Sequence, residues 1–236
     1  MHQYGYFVLF LLFVSIALTT IDGTTTVNEL SVEDRMLKKR DLQTTSDHDS
    51  ALLPEVLKWK KNVILENELR FDPSVCGSGL YISDENLQLR QVANADRFRS
   101  CRLMNAGWSS GIHYWSFRLV DLGASSLVLG VVTDEFDISA ETYPGSSSNN
   151  YGLYTSNGSK YTNGGSFQFA PDNLYQNNDE AGILLDLEAR TITFFKNGRM
   201  MGTAFSNIAP GSNMTKYYPA VGLYHLGHWI NIIKTI

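Results

Sequence analysis

The sequence is poor in cysteine, proline and charge. Its 236 residues include two cysteines and six prolines, and 18% of them are charged. Two cysteines cannot build the multiple-disulfide framework of small secreted domains, so a hydrophobic core must provide most of the stability. The 19 basic and 24 acidic residues give a net charge of −5, and the main body holds no long basic run. This balance argues against nucleic acid as a partner.

Aromatic residues and glycine are abundant instead. Aromatic side chains make up 12% of the chain, and there are 19 glycines. Aromatic residues pack well on pleated surfaces, and glycine supplies the positive φ that tight turns need. Hydrophobic residues reach 43%, which is enough for a substantial core. We therefore expect an all-β domain with many turns.

The N-terminus carries a short apolar stretch. Residues 6–18 are almost wholly apolar, and no charged side chain precedes Asp22. The stretch is too short to span a bilayer comfortably, and small residues follow it, as is typical of a secretory signal peptide. We assign residues 1–23 to this peptide and expect secretion, with no membrane attachment after cleavage. An uncleaved signal anchor is the alternative.

Residues 24–50 are polar and predict a disordered leader. The triplet at residues 38–40 fits a processing site cut after Arg40, and a solvated charge run is the alternative. Arg35-Met36-Leu37 resembles the Arg-x-Leu-Arg motif of secreted oomycete effectors, although Lys38 replaces the last arginine and no Glu-Glu-Arg follows. The resemblance implies an effector that is delivered into a host cell.

Residues 51–236 predict one folded domain. A short helix is expected over residues 52–61, where Pro54 stands near the start. Strand patterns follow: residues 114–120 alternate between apolar and polar, and residues 126–132 form an apolar run expected to be buried on both faces.

The C-terminal half predicts paired strands. Residues 182–187 and 191–196 are separated by three residues, which indicates a hairpin. Asn197-Gly198 then favours a type I′ turn, because both central positions of that turn need positive φ. Further strands are predicted over residues 199–205, 219–224 and 228–233. Many short strands at near-regular spacing indicate a β-sandwich.

Four motifs, in order along the chain, resemble those of SPRY domains. They are Gly111-Ile112-His113-Tyr114-Trp115, Leu129-Gly130-Val131-Val132, the run from Gly182 to Phe205, and Tyr218-Pro219-Ala220-Val221. The similarity covers roughly Val63 to Ile236. It implies a bent sandwich of two antiparallel sheets whose role is to bind a protein or peptide, and we expect a monomer.

Within this family the chain is most similar to the SPRY proteins that end in a SOCS box and to Ran-binding protein M. Those proteins bind short acidic peptides containing asparagine in a shallow pocket formed by three loops. Gln91 and Leu226 stand where that pattern has proline and tryptophan, and no SOCS box is expected after Ile236. By position, the resemblance implies partner contacts at Arg90, Val92, Asn94, Tyr143, Leu226, Gly227 and His228.

The segment from Tyr143 to Ser166 has the composition of an antibody paratope. Nineteen of its 24 residues are tyrosine, glycine, serine or asparagine. Tyrosine supplies rigid contact area, and the small polar residues supply adaptable hydrogen bonds. We therefore add Tyr151 and Tyr154 to Tyr143 as expected contacts. The alternative is an ordinary connection with strands of its own around residues 151–155.

Other patterns bear on modification and on competing functions. Asn157 and Asn213 begin glycosylation sequons, and Cys76 and Cys101 are either bridged or separate core residues. No nucleophile elbow or phosphate loop is present, so we expect no catalysis and no cofactor. We also expect no metal, because His225 and His228 are three residues apart and on a strand would point to opposite faces. A carbohydrate-binding sandwich is the alternative function, with Trp108 and the tyrosine-rich segment as its contacts.

Overall fold

The computed structural model describes residues 18–21, 24–27, 62–93, 96–123, 127–139, 141–212 and 214–234. The chain divides into two units, Met1–His48 and Asp49–Ile236. In the first unit, β1 (Leu18–Ile21) pairs with β2 (Thr24–Val27) as an antiparallel hairpin. Most of the predicted signal peptide and leader, Arg40 and the predicted helix over residues 52–61 lie outside the described residues.

The described part of the second unit is made of strands and connections, with no helix. Accordingly, none of its described segments is a helix that could cross a membrane. The strands are β3 (Val63–Leu65), β4 (Arg70–Cys76), β5 (Leu80–Ser83), β6 (Gln88–Gln91), β7 (Arg99–Met104), β8 (Ile112–Asp121), β9 (Val128–Thr133), β10 (Tyr151–Tyr154), β11 (Ser159–Thr162), β12 (Gly165–Gln168), β13 (Glu180–Asp186), β14 (Thr191–Lys196), β15 (Arg199–Ser206), β16 (Tyr217–Leu223) and β17 (Trp229–Ile233).

Two sheets form the sandwich. The first has the strand order β12-β11-β10-β9-β16-β7-β4, and the second has the order β15-β14-β13-β8-β17-β6-β5. Neighbouring strands along both paths are antiparallel, and β3 adds to β8 in parallel. The predicted antiparallel β-sandwich is therefore confirmed.

The core lies between the two sheets. Phe71 of the first sheet and Phe117 of the second stack with ring centroids 6.4 Å apart, and both side chains are fully buried. Trp115 and Leu119 of β8 face the same core, as the alternation in the sequence predicted. The other face of β8 is buried at its start, because Ile112 and Tyr114 pack with Leu184 and Phe195 in a second cluster.

The central strand predictions are confirmed. Every residue of β9 is buried, as the continuous apolar run indicated. β13 and β14 pair as the predicted hairpin. Asn197 and Gly198 follow with φ values of 49° and 73°, and this pair of positive angles matches the predicted type I′ turn into β15.

Cys76 and Cys101 form a disulfide in the structure. The two residues face each other in the register between β4 and β7, so the bond joins the edge strand of the first sheet to its neighbour. A bulge between Phe71 and Cys76 separates this point from the regular pairing at the other end of β4.

Candidate functional site

Several connections between the sheets meet at one end of the sandwich, which we call the β6–β7 end. In the second sheet, β6 and β8 end there and β17 begins there. In the first sheet, β7 and β9 begin there and β16 ends there. The connections at this end carry the chain from one sheet to the other. The paired residues Leu223 and Arg99 mark this end in the first sheet, and Trp229 with Arg90 marks it in the second. The site described below is built from side chains of this end.

A row of cross-strand neighbours runs over the second sheet at the β6–β7 end. Tyr81 of β5 pairs with Arg90 of β6, and Arg90 pairs with Trp229 of β17. The Arg90 guanidinium lies 5.8 Å from the centre of the Trp229 ring, within cation–π distance. The Trp229 indole is fixed by donating to Asn231 Oδ1 at 2.8 Å. Since Tyr81 and Arg90 are exposed, a cation flanked by two aromatic rings faces solvent.

Two exposed apolar side chains adjoin this row. Val92 is 50% exposed and Leu226 is 55% exposed. Backbone hydrogen bonds hold their loops together, because Gly227 N donates to Gln91 O and Gln91 N donates to His228 O, each at 2.9 Å. With Tyr81, at 57% exposure, they place three large hydrophobic residues in solvent beside Arg90.

A cluster of five half-buried rings lies on the first sheet at the same end. We call Phe98, Tyr143, Tyr154, Tyr161 and Tyr224 the aromatic cluster. Phe98 is central, with ring centroids 4.5 Å from Tyr143, 4.9 Å from Tyr224 and 6.2 Å from Tyr154. Tyr161 closes the group at 5.6 Å from Tyr143 and 5.5 Å from Tyr154. These separations and tilted or edge-on angles are those of favourable aromatic pairs.

Glycines in the underlying strands allow Tyr143 to reach this cluster. A Cβ on Gly152 would stand 2.0 Å from the carbonyl oxygen of Pro144, and a Cβ on Gly130 would stand 2.8 Å from the Pro144 Cβ. The segment 142–147 therefore lies directly on the outer surface of the first sheet. It is tied down where the Ser100 hydroxyl donates to Thr142 O at 2.7 Å.

Burial shifts the ionisation of Tyr143. Partial burial raises the pKa of its hydroxyl, and the nearby Tyr161 and Tyr154 raise it further. A tyrosine hydroxyl is already protonated at neutral pH, and this shift keeps it protonated further into alkali, so it can donate a hydrogen bond to a partner.

The loops at this end are also joined to each other. His225 Nδ1 lies 2.9 Å from Asp96 Oδ1, which links the β16–β17 loop to the β6–β7 loop. His228 is fully buried, and its Nδ1 accepts from Tyr224 N at 3.2 Å and His225 N at 3.4 Å. The predicted partner contact at His228 is thus not at the surface, and the ring instead shapes the turn that exposes Leu226.

Tyr151 is a further correction to the predicted contacts. It is 9% exposed, and its ring packs 5.1 Å from Phe205 in the core, while Tyr154 points to the outer face three residues later. The tyrosine-rich segment is mainly the meander of β10, β11 and β12, so the alternative with strands of its own is the one observed.

The other residues predicted from the sequence are a glycine, three asparagines and a tryptophan. Gly227 adopts φ of 91° in the β16–β17 loop, whereas Asn94 and Asn213 lie outside the described residues. Asn157 is exposed in the turn after β10, where its Oδ1 accepts from Ser159 N at 2.9 Å. Trp108 is half-buried, and one face of its ring stacks on His113 at 4.2 Å, so that face is closed to a sugar.

Several site residues were not anticipated from the sequence. They are Tyr81, Phe98, Tyr161, Tyr224 and Trp229. These residues lie next to the ends of strands or on the outer faces of strands. They are far apart in the sequence, and only the strand order shows that they are neighbours. Across the described ranges, no three His, Cys, Asp or Glu side chains are grouped to hold a metal ion.

Comparisons with known proteins agree on one family. A family model described as SPRY domain matches residues 112–234. The dual specificity protein kinase splA of Dictyostelium discoideum is 27% identical over 177 residues, which are 74% of this chain and 7% of the kinase. The match therefore spans only a small part of that relative.

Solved structures show the same fold. The SPRY domain of human HERC1 is 22% identical, with a TM-score of 0.57 over 70% of this chain and 97% of that one. The TRIM65 PSpry domain is 20% identical, with a TM-score of 0.59 over 76% of this chain and 96% of its own. At these identities the likeness concerns the fold.

Proposed function

The chain belongs to the SPRY domain family, and we propose that it is a noncatalytic module that binds a protein or short peptide at the β6–β7 end. SPRY domains are generally protein-interaction modules. The position of this chain's own exposed side chains is what directs the proposal to a particular surface.

One observation carries the proposal. Tyr81, Val92 and Leu226 are each at least half exposed, and all three lie at the same end of the second sheet as the Arg90–Trp229 pair. Arginine and aromatic residues dominate binding energy at protein interfaces, so this grouping has the composition of a binding hot spot. The aromatic cluster on the neighbouring sheet would extend the contact area.

The chemistry of this surface favours an acidic, extended peptide. The Arg90 guanidinium is exposed and can form two parallel hydrogen bonds with one carboxylate. The three exposed apolar side chains would contact hydrophobic groups on either side of that carboxylate. The Tyr143 hydroxyl, which is protonated at neutral pH, would donate to a peptide carbonyl.

We further propose that the protein is secreted and acts on a host protein. The apolar N-terminal stretch, the polar leader and the two sequons support secretion, and the resemblance of Arg35-Met36-Leu37 to an effector motif supports action on a host. The N-terminal sequence of protein collected from the culture medium tests this part: a start near residue 24 is expected, or at residue 41 where the leader is cut after Arg40, and retention inside the cell would contradict secretion.

A pull-down from host-cell extract, read by mass spectrometry, tests the binding function. The chain serves as bait beside its Arg90→Ala, Tyr143→Ala double variant. We expect a protein that is enriched by the wild type and lost with the variant. Equal enrichment by both baits would contradict the assigned surface, and the absence of any enriched protein would contradict the binding function.

A matched control separates the surface from general disruption. Arg199 and Met200 are also an exposed arginine and an exposed hydrophobic residue, but they lie on the edge strand β15. The Arg199→Ala, Met200→Ala double variant should enrich the same protein as the wild type. Its urea midpoint, with that of the site variant, establishes that both are folded.

A further inference from the structure

A groove of about 350 Å³ runs along the edge of the sandwich where β11 and β12 face β15. Tyr151 and Phe205 form an apolar floor, and their rings pack 5.1 Å apart. Phe167 stands at the rim with 52% of its surface exposed. The groove is therefore a concave site with an apolar base and one aromatic ring open to solvent.

The rim carries neutral polar groups. They are the side chains of Thr162, Asn163, Ser206 and Asn207. The two amides and two hydroxyls make no hydrogen bond with other described residues, so they remain open to a ligand. Together they offer several donors and acceptors around the exposed Phe167 ring.

Among the described residues of the lining, Lys160 is the one with a charged side chain. Its ammonium donates to Ala204 O at 2.5 Å and lies 5.6 Å from the centre of the Phe205 ring. No Asp or Glu is among the described residues that line the groove, so the lining brings no negative charge against a ligand that carries a carboxylate.

The same lysine argues against an added β-strand as the occupant. An extended peptide would pair with the free backbone groups of an edge strand. On β15 the Ala204 carbonyl is already taken by Lys160, and the facing edge strand β12 is only four residues long. The groove thus lacks the open ladder that a peptide strand requires.

We propose that this groove binds a saccharide. A pyranose ring presents an apolar C–H face, which suits the exposed Phe167 ring, and a rim of hydroxyls, which suits the amides of Asn163 and Asn207. Small-molecule sites commonly combine an apolar base with a few convergent polar groups in a volume of roughly 300–1,000 Å³. This activity is separate from peptide binding, since the groove residues on β10, β11, β12 and β15 and in the segments that follow β11 and β15 are none of those in the aromatic cluster or beside Arg90.

Binding of defined hexasaccharides to the full chain tests the proposal. The probes are hexamers of glucose, N-acetylglucosamine, mannose and galacturonic acid, measured by calorimetry or by saturation-transfer NMR. We expect saturable binding of at least one hexamer and a loss of tenfold or more in its affinity for Phe167→Ala and for Asn207→Ala. Absence of binding to all four, or equal affinity of the Phe167→Ala variant, would overturn the proposal.

Two control variants distinguish this site from the peptide surface. Met200→Ala removes another exposed apolar side chain from β15, at 43% exposure, outside the groove lining. Tyr81→Ala removes an exposed ring from the β6–β7 end. Both should keep the affinity of the wild type for the hexamer, and a tenfold loss in either would contradict the assignment to the groove.

Discussion

Glycine at position 152 determines where the aromatic cluster stands. Its α-carbon lies against the Pro144 carbonyl, and no side chain of any size fits between them. The residues that follow Tyr143 can therefore lie flat on β10, which brings the Tyr143 ring beside Phe98 and Tyr161. Gly152, which has no side chain, thus determines the position of Tyr143, a candidate contact for a partner.

Gly152→Ala should lower the free energy of unfolding by about 1–3 kcal/mol, because the added methyl group overlaps the Pro144 backbone and forces either β10 or the segment 142–147 to shift. This difference is measured by urea unfolding, with tryptophan fluorescence as the signal. Gly77→Ala is the control, since its new Cβ would meet its nearest neighbour at 3.4 Å, an ordinary contact. Equal stability of the Gly152→Ala variant and the wild type would contradict this packing.

His113 is a second residue whose role follows from its contacts. Its Nε2 lies 2.8 Å from Ser110 O, an acceptor, and its Nδ1 lies 2.7 Å from Glu66 Oε1. Both side chains are largely buried, and Trp108 stacks on the imidazole. The ring therefore joins the start of β8 to the segment after β3.

His113→Phe should cost about 3 kcal/mol of stability, because it keeps the stacking ring but leaves a mostly buried carboxylate without its partner. Glu66→Gln retains an oxygen acceptor and should cost less. Thermal or urea unfolding measures both. A loss below about 1 kcal/mol for His113→Phe would mean that this pair contributes little to stability.

Site residues differ in how far the sequence predicts them. Arg90, Val92 and Leu226 were predicted by position within a resemblance, and all three are exposed at one end. His228 was predicted in the same way and Tyr151 from the composition of its segment, but both are buried, because side-chain orientation depends on strand register and loop closure. Neither can be read from residue type alone.

At the scale of elements, hydrophobic periodicity predicts where strands lie better than it predicts which segments pack against them. β9 and the β13–β14 hairpin follow from apolar runs and turn residues. The tyrosine-rich segment did not, since its glycines and serines are typical of loops, while in the fold Gly152 and Gly165 serve as strand positions. Local composition cannot show that a neighbouring segment needs those positions to be small.

The disulfide is the element-scale feature with the largest expected effect. It closes a loop with a sequence separation of 25 residues and ties β4 to β7. Cys76→Ala with Cys101→Ala should lower the free energy of unfolding by about 3 kcal/mol through the entropy of the unfolded chain. Urea midpoints of the double variant and the wild type give the difference, and an unchanged midpoint would contradict it.

For the whole molecule, buried tyrosines predict sensitivity to alkali. Burial raises the pKa of Tyr114, Tyr175 and Tyr217 above the value of an exposed tyrosine. The folded state holds these protons more tightly than the unfolded chain does. The three tyrosines therefore contribute fully to the free energy of unfolding below a pH of about 10, and this contribution is lost as the pH rises above that value.

We therefore expect the urea midpoint to fall as the pH rises above about 10. Tyr175→Phe should show a shallower fall, although it also loses the hydrogen bond from the Tyr175 hydroxyl to Phe195 O at 2.9 Å. A midpoint that stays constant to about pH 11.5 would contradict the burial of these hydroxyls.

The fold of the whole molecule places the exposed row and the aromatic cluster at the same end of the sandwich. The strand order causes this arrangement. The β6–β7 and β16–β17 connections each join one sheet to the other at this end, so residues of both sheets meet there. The sequence predicted a sandwich, but its strand order is known from the structure. The proposed binding surface therefore depends on topology as much as on its residues.

The most direct test of that surface is the affinity of a peptide selected from a random library on the wild-type chain. Its dissociation constant is measured for the wild type, the Arg90→Ala, Tyr143→Ala variant and the Arg199→Ala, Met200→Ala control. We predict roughly 30-fold weaker binding to the first variant, about 2 kcal/mol, and an unchanged constant for the control. Equal constants for all three proteins would contradict binding at the β6–β7 end.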